Sequence, residues 1–538
     1  MSYETIAKII NKIVRIFFIL LGYIATIRTL FACFGKSKQL PPIKSDLLKI
    51  SATQLAVKIR RKEVKSVDVI EAYINRIKDV NPMINAVVDQ RFAEAMDEAV
   101  RADLLVEAAE NAEEFANSKP LLGVPITVKE TIPVKGLSNN AARSRIASNI
   151  ANEDADCIQL LRKHGAIPLL VSNIPELCLY LETNNAYIGR TNNPYNTTRT
   201  SGGSSGGEAA LIGSGASLLG VGSDVAGSIR LPSMFCGIFG HKPTPGFVSN
   251  NGHIPSSKDP MWHYYFTIGP LARYAEDLPL ILRCMISEKS HLQRLSLDSN
   301  VNVTRVKVYY MYGEGPDSTL QDEPNFQMKK AIKTAVDIMG INFQCTTTKV
   351  DLSYFKNSFA LTMLILKTKG IENVYQKDDE NPDDYNAWRI LEIMFKKFTF
   401  QNKASLSGIL FGPLQSLINA MPEVMIEKLV KRLEYTRGKL LELLGNDGVL
   451  IYPTFSNEAT FHDRLSGQIL NISYCTLFNV LGFPVTQCHV RYTREGLPVG
   501  VQIVAAPEKD RLSLAVAEAI STVTGGWLSP DEVKASQY

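Results

Sequence analysis

Two glycine- and serine-rich turns set between apolar flanks constrain this chain more than any other feature. The first reads Arg199-Thr200-Ser201-Gly202-Gly203-Ser204-Ser205-Gly206-Gly207-Glu208; the second, Asp224-Val225-Ala226-Gly227-Ser228-Ile229-Arg230-Leu231-Pro232, puts Ser228 24 residues after Ser204. Glycines remove the Cβ and open positive φ, so hydroxyls and N–H groups in such turns can converge on one small target. Flexible linkers do not sit inside apolar flanks. The turns therefore belong at the ends of buried elements, and two serines held there read as a nucleophile site. Upstream lies a candidate base, Lys129, in Leu122-Gly123-Val124-Pro125-Ile126-Thr127-Val128-Lys129-Glu130.

Apolar patterning sets the scaffold around these turns. Residues 124–128 and 166–171 are short apolar runs bounded by Gly and Pro, the mark of buried strands, with an amphipathic helix over 156–164 between them. Helical spacing covers 51–61 and 66–78, with Ser51 and Ser66 in N-cap positions, and a longer Ala- and Glu-rich helix spans 91–116. The middle of the chain, 292–445, is poorer in glycine and carries long amphipathic segments such as 384–398 and 423–444, which predict a helical cover. Residues 447–453 and 499–505 then return to buried-strand character. The expectation is one α/β unit over 45–538, a large mixed central β-sheet surrounded by helices and assembled from both ends of the chain.

Composition narrows the function. A formal net charge of +4, with Lys and Arg interspersed among Asp and Glu, gives no surface for nucleic acid. Eight cysteines without a Cys-x-x-Cys pair argue against a zinc site and against a disulfide framework. No metal and no cofactor are expected. The N-terminus differs from the rest: residues 16–27 are almost unbroken apolar, flanked by Lys8, Lys12 and Arg15 on one side and Arg28 on the other. Extended to 9–34, the run is long enough for the ~30 Å hydrocarbon core, with the arginines snorkelling near its ends. A cleaved signal peptide would fit the apolar length, but no small-x-small site follows. Residues 1–40 are thus expected to form a hydrophobic helix retained as an anchor at an intracellular membrane, its topology left open by the lysines on both sides.

The motifs from about 120 to 245, together with Gly240-His241-Lys242-Pro243-Thr244 and Gly269-Pro270-Leu271-Ala272-Arg273, resemble the amidase signature family. The resemblance extends to Asn479-Val480-Leu481-Gly482-Phe483-Pro484-Val485-Thr486 and Gly496-Leu497-Pro498-Val499-Gly500-Val501-Gln502. Within the family, the apolar N-terminus and residues 71–82 are most similar to the fatty-acid amide hydrolases. The resemblance implies a serine hydrolase of lipophilic amides. In it Lys129 is the base, Ser204 a proton relay preceded by a cis peptide, and Ser228 the nucleophile. The residues must meet a stated demand: a lysine acts as a base only when neutral, and lowering its pKa from about 10.4 to near 7 disfavours the charged form by roughly 4 kcal/mol, which burial can supply. Successive amides of Val225, Ala226, Gly227 and Ser228 offer an oxyanion hole, with Asp224, Arg230 and Ser205 bracing it. The family usually has glycine where this chain has Ala226, and a β-carbon there fits only without positive φ. The stretch Ile174-Pro175-Glu176-Leu177-Cys178 matches one that lines the family's site, so Cys178 is a candidate substrate contact or a packed core thiol.

Other readings compete. Gly202-Gly203-Ser204-Ser205-Gly206 also fits the nucleophile elbow of α/β-hydrolases, which would make Ser204 the nucleophile, but the polar stretch before it does not read as the strand an elbow requires. Among the histidines, His241 reads as structural. An amidase of other small amides and an amidotransferase subunit share the same three residues, and some docking relatives have lost the catalytic serine, which this chain keeps.

Overall fold

Short, branched apolar runs become buried strands, and these gather into a single sheet. The computed structural model describes residues 37–143, 149–314, 320–367 and 421–536. Strands of the first half are β1 (Val87–Gln90), β2 (Pro125–Lys129), β3 (Ile167–Ser172), the two-residue pair β4 (Asn184–Asn185) and β5 (Gly189–Arg190), β6 (Leu219–Asp224), β7 (Phe239–Lys242) and β8 (Thr267–Ala272). The remainder are β9 (Lys307–Tyr310), β10 (Thr346–Lys349), β11 (Gly448–Tyr452), β12 (Val485–Tyr492) and β13 (Pro498–Ala505). Eleven of them form one mixed sheet in the order β1-β3-β2-β6-β8-β7-β12-β13-β11-β9-β10; β4 and β5 pair separately. Helices cover the sheet, and β2, β3, β6, β8, β11 and β13 are buried along their whole length.

The topology positions the site. β2 lies between β3 and β6 and runs parallel to both, so the C-terminal ends of β2 and β6 open on the same edge. In parallel sheets this edge is where loops can build a pocket. Lys129 is the last residue of β2, and Ser223 and Asp224 end β6.

Several expectations shift. Ser51 does cap the helix Ala52–Arg60, accepting the Gln54 amide at 3.3 Å. Ser66 does not act as a cap; it lies inside the helix Ser66–Ile84, its hydroxyl donating to Gly123 O at 2.9 Å. Asp103, from the helix Phe92–Ala108, accepts the Ser66 and Val67 amides instead at 2.7 and 3.1 Å. The predicted helix over 91–116 breaks at Ala108. The middle segment is more than a cover: besides the helices Phe326–Ile341 and Glu423–Leu444 it adds β9 and β10 to the end of the sheet. The amphipathic stretch 384–398 and the apolar N-terminal run lie outside the described residues, among which no helix is long and apolar enough to cross a membrane. Packing onto the body begins before residue 45, where Leu40 is buried and Arg76 Nη1 donates to Pro41 O at 2.7 Å.

Candidate active site

Lys129 enters the site from the end of a fully buried strand, which fixes its Cα and leaves its side chain one direction to run. Its Nζ reaches Ser204 Oγ at 2.6 Å and Ser223 Oγ at 2.9 Å. Burial pushes the Lys129 ammonium below its ordinary range, against smaller opposing effects from Cys178, Asp224 and Glu208.

Ser204 sits on the loop between the β4–β5 pair and the helix Gly206–Gly213, after a cis peptide at Gly203-Ser204. No strand leads into it, so the strand-to-helix turn of an elbow is not formed here. The glycine before this peptide is required: Gly202 has φ +80° and a Cβ there would lie 2.9 Å from Pro232 Cα. Ser205 lies behind the site, its amide donating to Ser228 O at 3.2 Å and its hydroxyl reaching Ser223 O at 3.5 Å. That amide ties the two serine turns together.

The second turn is built on a buried ion pair. Arg230 Nε and Nη2 donate to the two Asp224 oxygens at 3.1 and 3.0 Å. The remaining guanidinium donors find Cys475 O, Gln502 Oε1 and Asn479 Oδ1 at 2.9, 2.9 and 2.6 Å. Burial alone would raise the Asp224 carboxyl; Arg230, Asn479 and Lys242 hold it well below the usual carboxylate range. The same carboxylate accepts the amides of Gly227 at 2.7 Å and Ile229 at 3.1 Å, folding the turn around itself. The Gly227 amide, one of the four expected oxyanion donors, is thus bonded to Asp224 in this structure. The amides of Val225, Ala226 and Ser228 meet no protein acceptor among the described residues. Gly227 is needed for another reason. It has φ +104°, and a Cβ there would stand 2.5 Å from that of Cys475. Ala226 has no positive φ, so its methyl group sits without backbone strain.

These elements surround a cavity of ≈ 50 Å³. Ser204, Ser223 and Ser228 share its wall with Val225, Cys178, Leu177, Leu179, His253, Pro255, Trp262, Phe266 and Ile365. Trp262 and Phe266 are stacked, with centroids 4.9 Å apart and planes 8° from parallel. Lys129 and Ser204 are fully buried, whereas Ser228 is 9% exposed and forms the accessible end of the group. Cys178 is half-buried, in a left-handed pair with Leu177 at φ +61° and +49°, its thiol 3.7 Å from Thr131 Oγ1. The structure thus brings Lys129, Ser204, Ser228, Ser205, Asp224, Arg230 and Cys178 into one neighbourhood. His241 lies elsewhere, on β7, bonded to Thr486 and Asp510.

Two residues at the site escaped the sequence reading. Ser223 joins Lys129 to His253, whose Nε2 lies 2.9 Å from Ser223 Oγ and whose Nδ1 lies 2.9 Å from Pro255 O. Burial, aided by the charge of Lys129, pushes the His253 imidazolium down to about 3. Ser223 could have been suspected from its place beside Asp224 at the end of a glycine-rich strand. His253 has no local signal, because it arrives on a loop well beyond the serine motifs.

The chain is similar to known proteins along most of its length. The family model described as Amidase matches residues 68–514. Fatty-acid amide hydrolase 2 of Homo sapiens is 37% identical over 504 residues, which cover 92% of this chain and 92% of that protein. Fatty-acid amide hydrolase 2-A of Danio rerio is 39% identical over 502 residues, 91% of this chain and 92% of that protein. Among solved structures, a fatty acid amide hydrolase superposes with a TM-score of 0.69 at 22% identity, covering 91% of this chain and 87% of that one. A 6-aminohexanoate cyclic dimer hydrolase gives 0.69 at 23% identity, covering 89% and 98%. At these identities the structural likeness establishes the fold.

Proposed function

The chain belongs to the amidase family and is an amide-hydrolysing enzyme, and from that premise we propose that it cleaves fatty-acid amides through a Lys129–Ser204–Ser228 relay. The observation that carries the reading is the 2.6 Å contact between Lys129 Nζ and Ser204 Oγ, made where burial favours the neutral amine, with Ser228 on the same cavity wall. In the proposed sequence neutral Lys129 accepts the Ser204 proton and Ser204 accepts that of Ser228. The Ser228 oxygen attacks the amide carbonyl carbon. The relay run in reverse protonates the nitrogen as the C–N bond breaks, because an amide nitrogen departs badly as an anion. Water then hydrolyses the acyl-Ser228 ester by the same relay.

Charge on the tetrahedral oxygen requires donors oriented in advance, and the amides of Val225, Ala226 and Ser228 are the candidates. The lining supports an apolar acyl group: Leu177, Leu179, Trp262, Phe266 and Ile365 present hydrocarbon and aromatic faces, and Cys178 lies among them as a contact. The two relatives named fatty-acid amide hydrolase 2 point to fatty-acid amides, and N-acylethanolamines and primary fatty amides, which the family resemblance implies, are the first substrates to try. A membrane anchor within residues 1–40, expected from sequence, would deliver substrates of this kind from a lipid phase at an intracellular membrane.

The test is labelling with a serine-reactive fluorophosphonate, followed by peptide mass spectrometry and by turnover of long- and short-chain amides. Adduct on Ser228, its loss in Ser228→Ala, and faster cleavage of long-chain amides are expected. Adduct on Ser204 would overturn the relay, and equal rates on short and long amides would overturn the substrate class.

A further inference from the structure

We propose that His253 is a positioning residue that, through Ser223, aims the lone pair of Lys129 at Ser204. The inference rests on the base role of Lys129 given above and deepens it. Hydrogen-bond roles along the chain of contacts carry it. His253 Nδ1 lies 2.9 Å from Pro255 O, and a carbonyl oxygen can only accept, so Nδ1 holds the ring proton. In a neutral imidazole Nε2 is then an acceptor, and Ser223 Oγ, 2.9 Å away, is the donor that faces it. A serine hydroxyl has one proton. With that proton directed at His253, Ser223 presents only lone pairs to Lys129 Nζ at 2.9 Å.

This decides how the amine is turned. A neutral lysine amine has two N–H bonds and one lone pair. Ser223 can take one N–H but can offer no proton, and Cys178, whose thiol proton faces Thr131 Oγ1 at 3.7 Å, meets the amine as a second acceptor, so the lone pair remains for the Ser204 hydroxyl at 2.6 Å. Remove the histidine and the Ser223 hydroxyl is free to rotate and donate to the amine. It would then compete with the Ser204 proton for the single site that the reaction needs. The ring is also fixed in place: it packs against Phe266 with centroids 4.5 Å apart, and burial keeps it neutral. His253 thus acts on Lys129 through Ser223.

The experiment is a double-mutant cycle on the full chain, reading the rate of Ser228 phosphonylation per active site, with sites counted from the labelling endpoint so that misfolded protein drops out. His253→Leu and Ser223→Ala should each slow the reaction about tenfold, the scale of one redirected hydrogen bond. If His253 works through Ser223, the double variant is no slower than Ser223→Ala alone. His253→Gln, which retains an acceptor, should recover most of the rate. A double variant slowed about a hundredfold would mean independent effects and overturn the proposal, as would a His253→Leu rate within twofold of the parent. Lys129→Met separates the two layers of the argument. If it leaves the rate unchanged, the base reading itself fails; if it slows the rate while His253→Leu does not, only the positioning role fails.

Discussion

Lys129 and Arg230 are both basic side chains with no solvent exposure in one site, yet they are held in opposite ways. Arg230 meets a carboxylate bidentately and satisfies its remaining donors on Cys475, Gln502 and Asn479, so its charge survives burial and its pKa is raised. Lys129 meets two hydroxyls and the Cys178 thiol but no carboxylate, and burial lowers its pKa. The difference shows that depth alone does not decide charge: partners do. One turn uses a paired charge as a brace, and the neighbouring strand β2 ends in a lysine that burial drives toward the neutral amine a base must be.

Breaking the brace should have the largest effect. Arg230→Leu leaves Asp224 buried with two backbone amides and Asn479 as its nearest partners, and loss of one member of a buried pair typically costs about 3–5 kcal/mol. Chemical denaturation should show that loss, and phosphonylation of Ser228 should fall with it because the turn carrying the serine is no longer folded around the carboxylate. Lys129→Met should behave in reverse. It removes a buried amine without stranding a charge, so denaturation should show stability kept or raised, while the rate falls about 10²–10⁴-fold, the usual contribution of a positioned base. A Lys129→Met protein that loses several kcal/mol would contradict the comparison.

The same contrast has a pH signature. A lysine whose folded pKa lies below its unfolded value of about 10.4 binds fewer protons when folded, so stability rises with pH between the two values and the full penalty applies below the lower one. Lys242, pushed by burial to about 7, contributes in the same direction. Denaturation at pH 7 and pH 9 should therefore show a gain in the parent protein that shrinks, without vanishing, in Lys129→Met. Asp224, held below the usual carboxylate range, keeps its contribution across this window and loses it only in strong acid. An unchanged gain in Lys129→Met would mean that the lysine is charged throughout, and the comparison would fail at its centre.

How far the site was legible follows from where each signal resides. Lys129, Ser204 and Ser228 stand out because glycines and apolar strands frame them locally, and β2, β3, β11 and β13 announce themselves by buried runs. β10 does not: all of its residues, Thr346–Lys349, are exposed at the sheet's edge, so it has no buried face to print a period on the sequence. The capping of the helix Ser66–Ile84 by Asp103 was equally hidden, since the acceptor comes from another helix. His253 reaches the site only through tertiary approach, and local patterning carries no trace of it; Asn479 stood in a stretch that resembles the family, but its bond to Asp224 likewise depends on tertiary approach. The bond from the Gly227 amide to Asp224 was hidden because its partner is a side chain and backbone spacing alone does not say which way an N–H points.

The two consecutive residues of the serine turn give the finest test. Gly227 cannot change: alanine there would take a left-handed φ and place its Cβ against Cys475, so Gly227→Ala should cost about 1–3 kcal/mol of stability and reduce labelling of Ser228. Its neighbour Ala226 departs from the glycine usual in the family but has no positive φ, and its amide is among those with no protein acceptor. Ala226→Gly should therefore change the phosphonylation rate by less than about threefold, because the N–H direction is set by the Asp224 brace and not by the side chain. Stability should drop by about 0.4–1 kcal/mol, since glycine adds freedom to the unfolded chain. A rate gain of tenfold or more would show that the methyl group displaces the turn, and that the brace fixes the backbone less firmly than the buried pair implies.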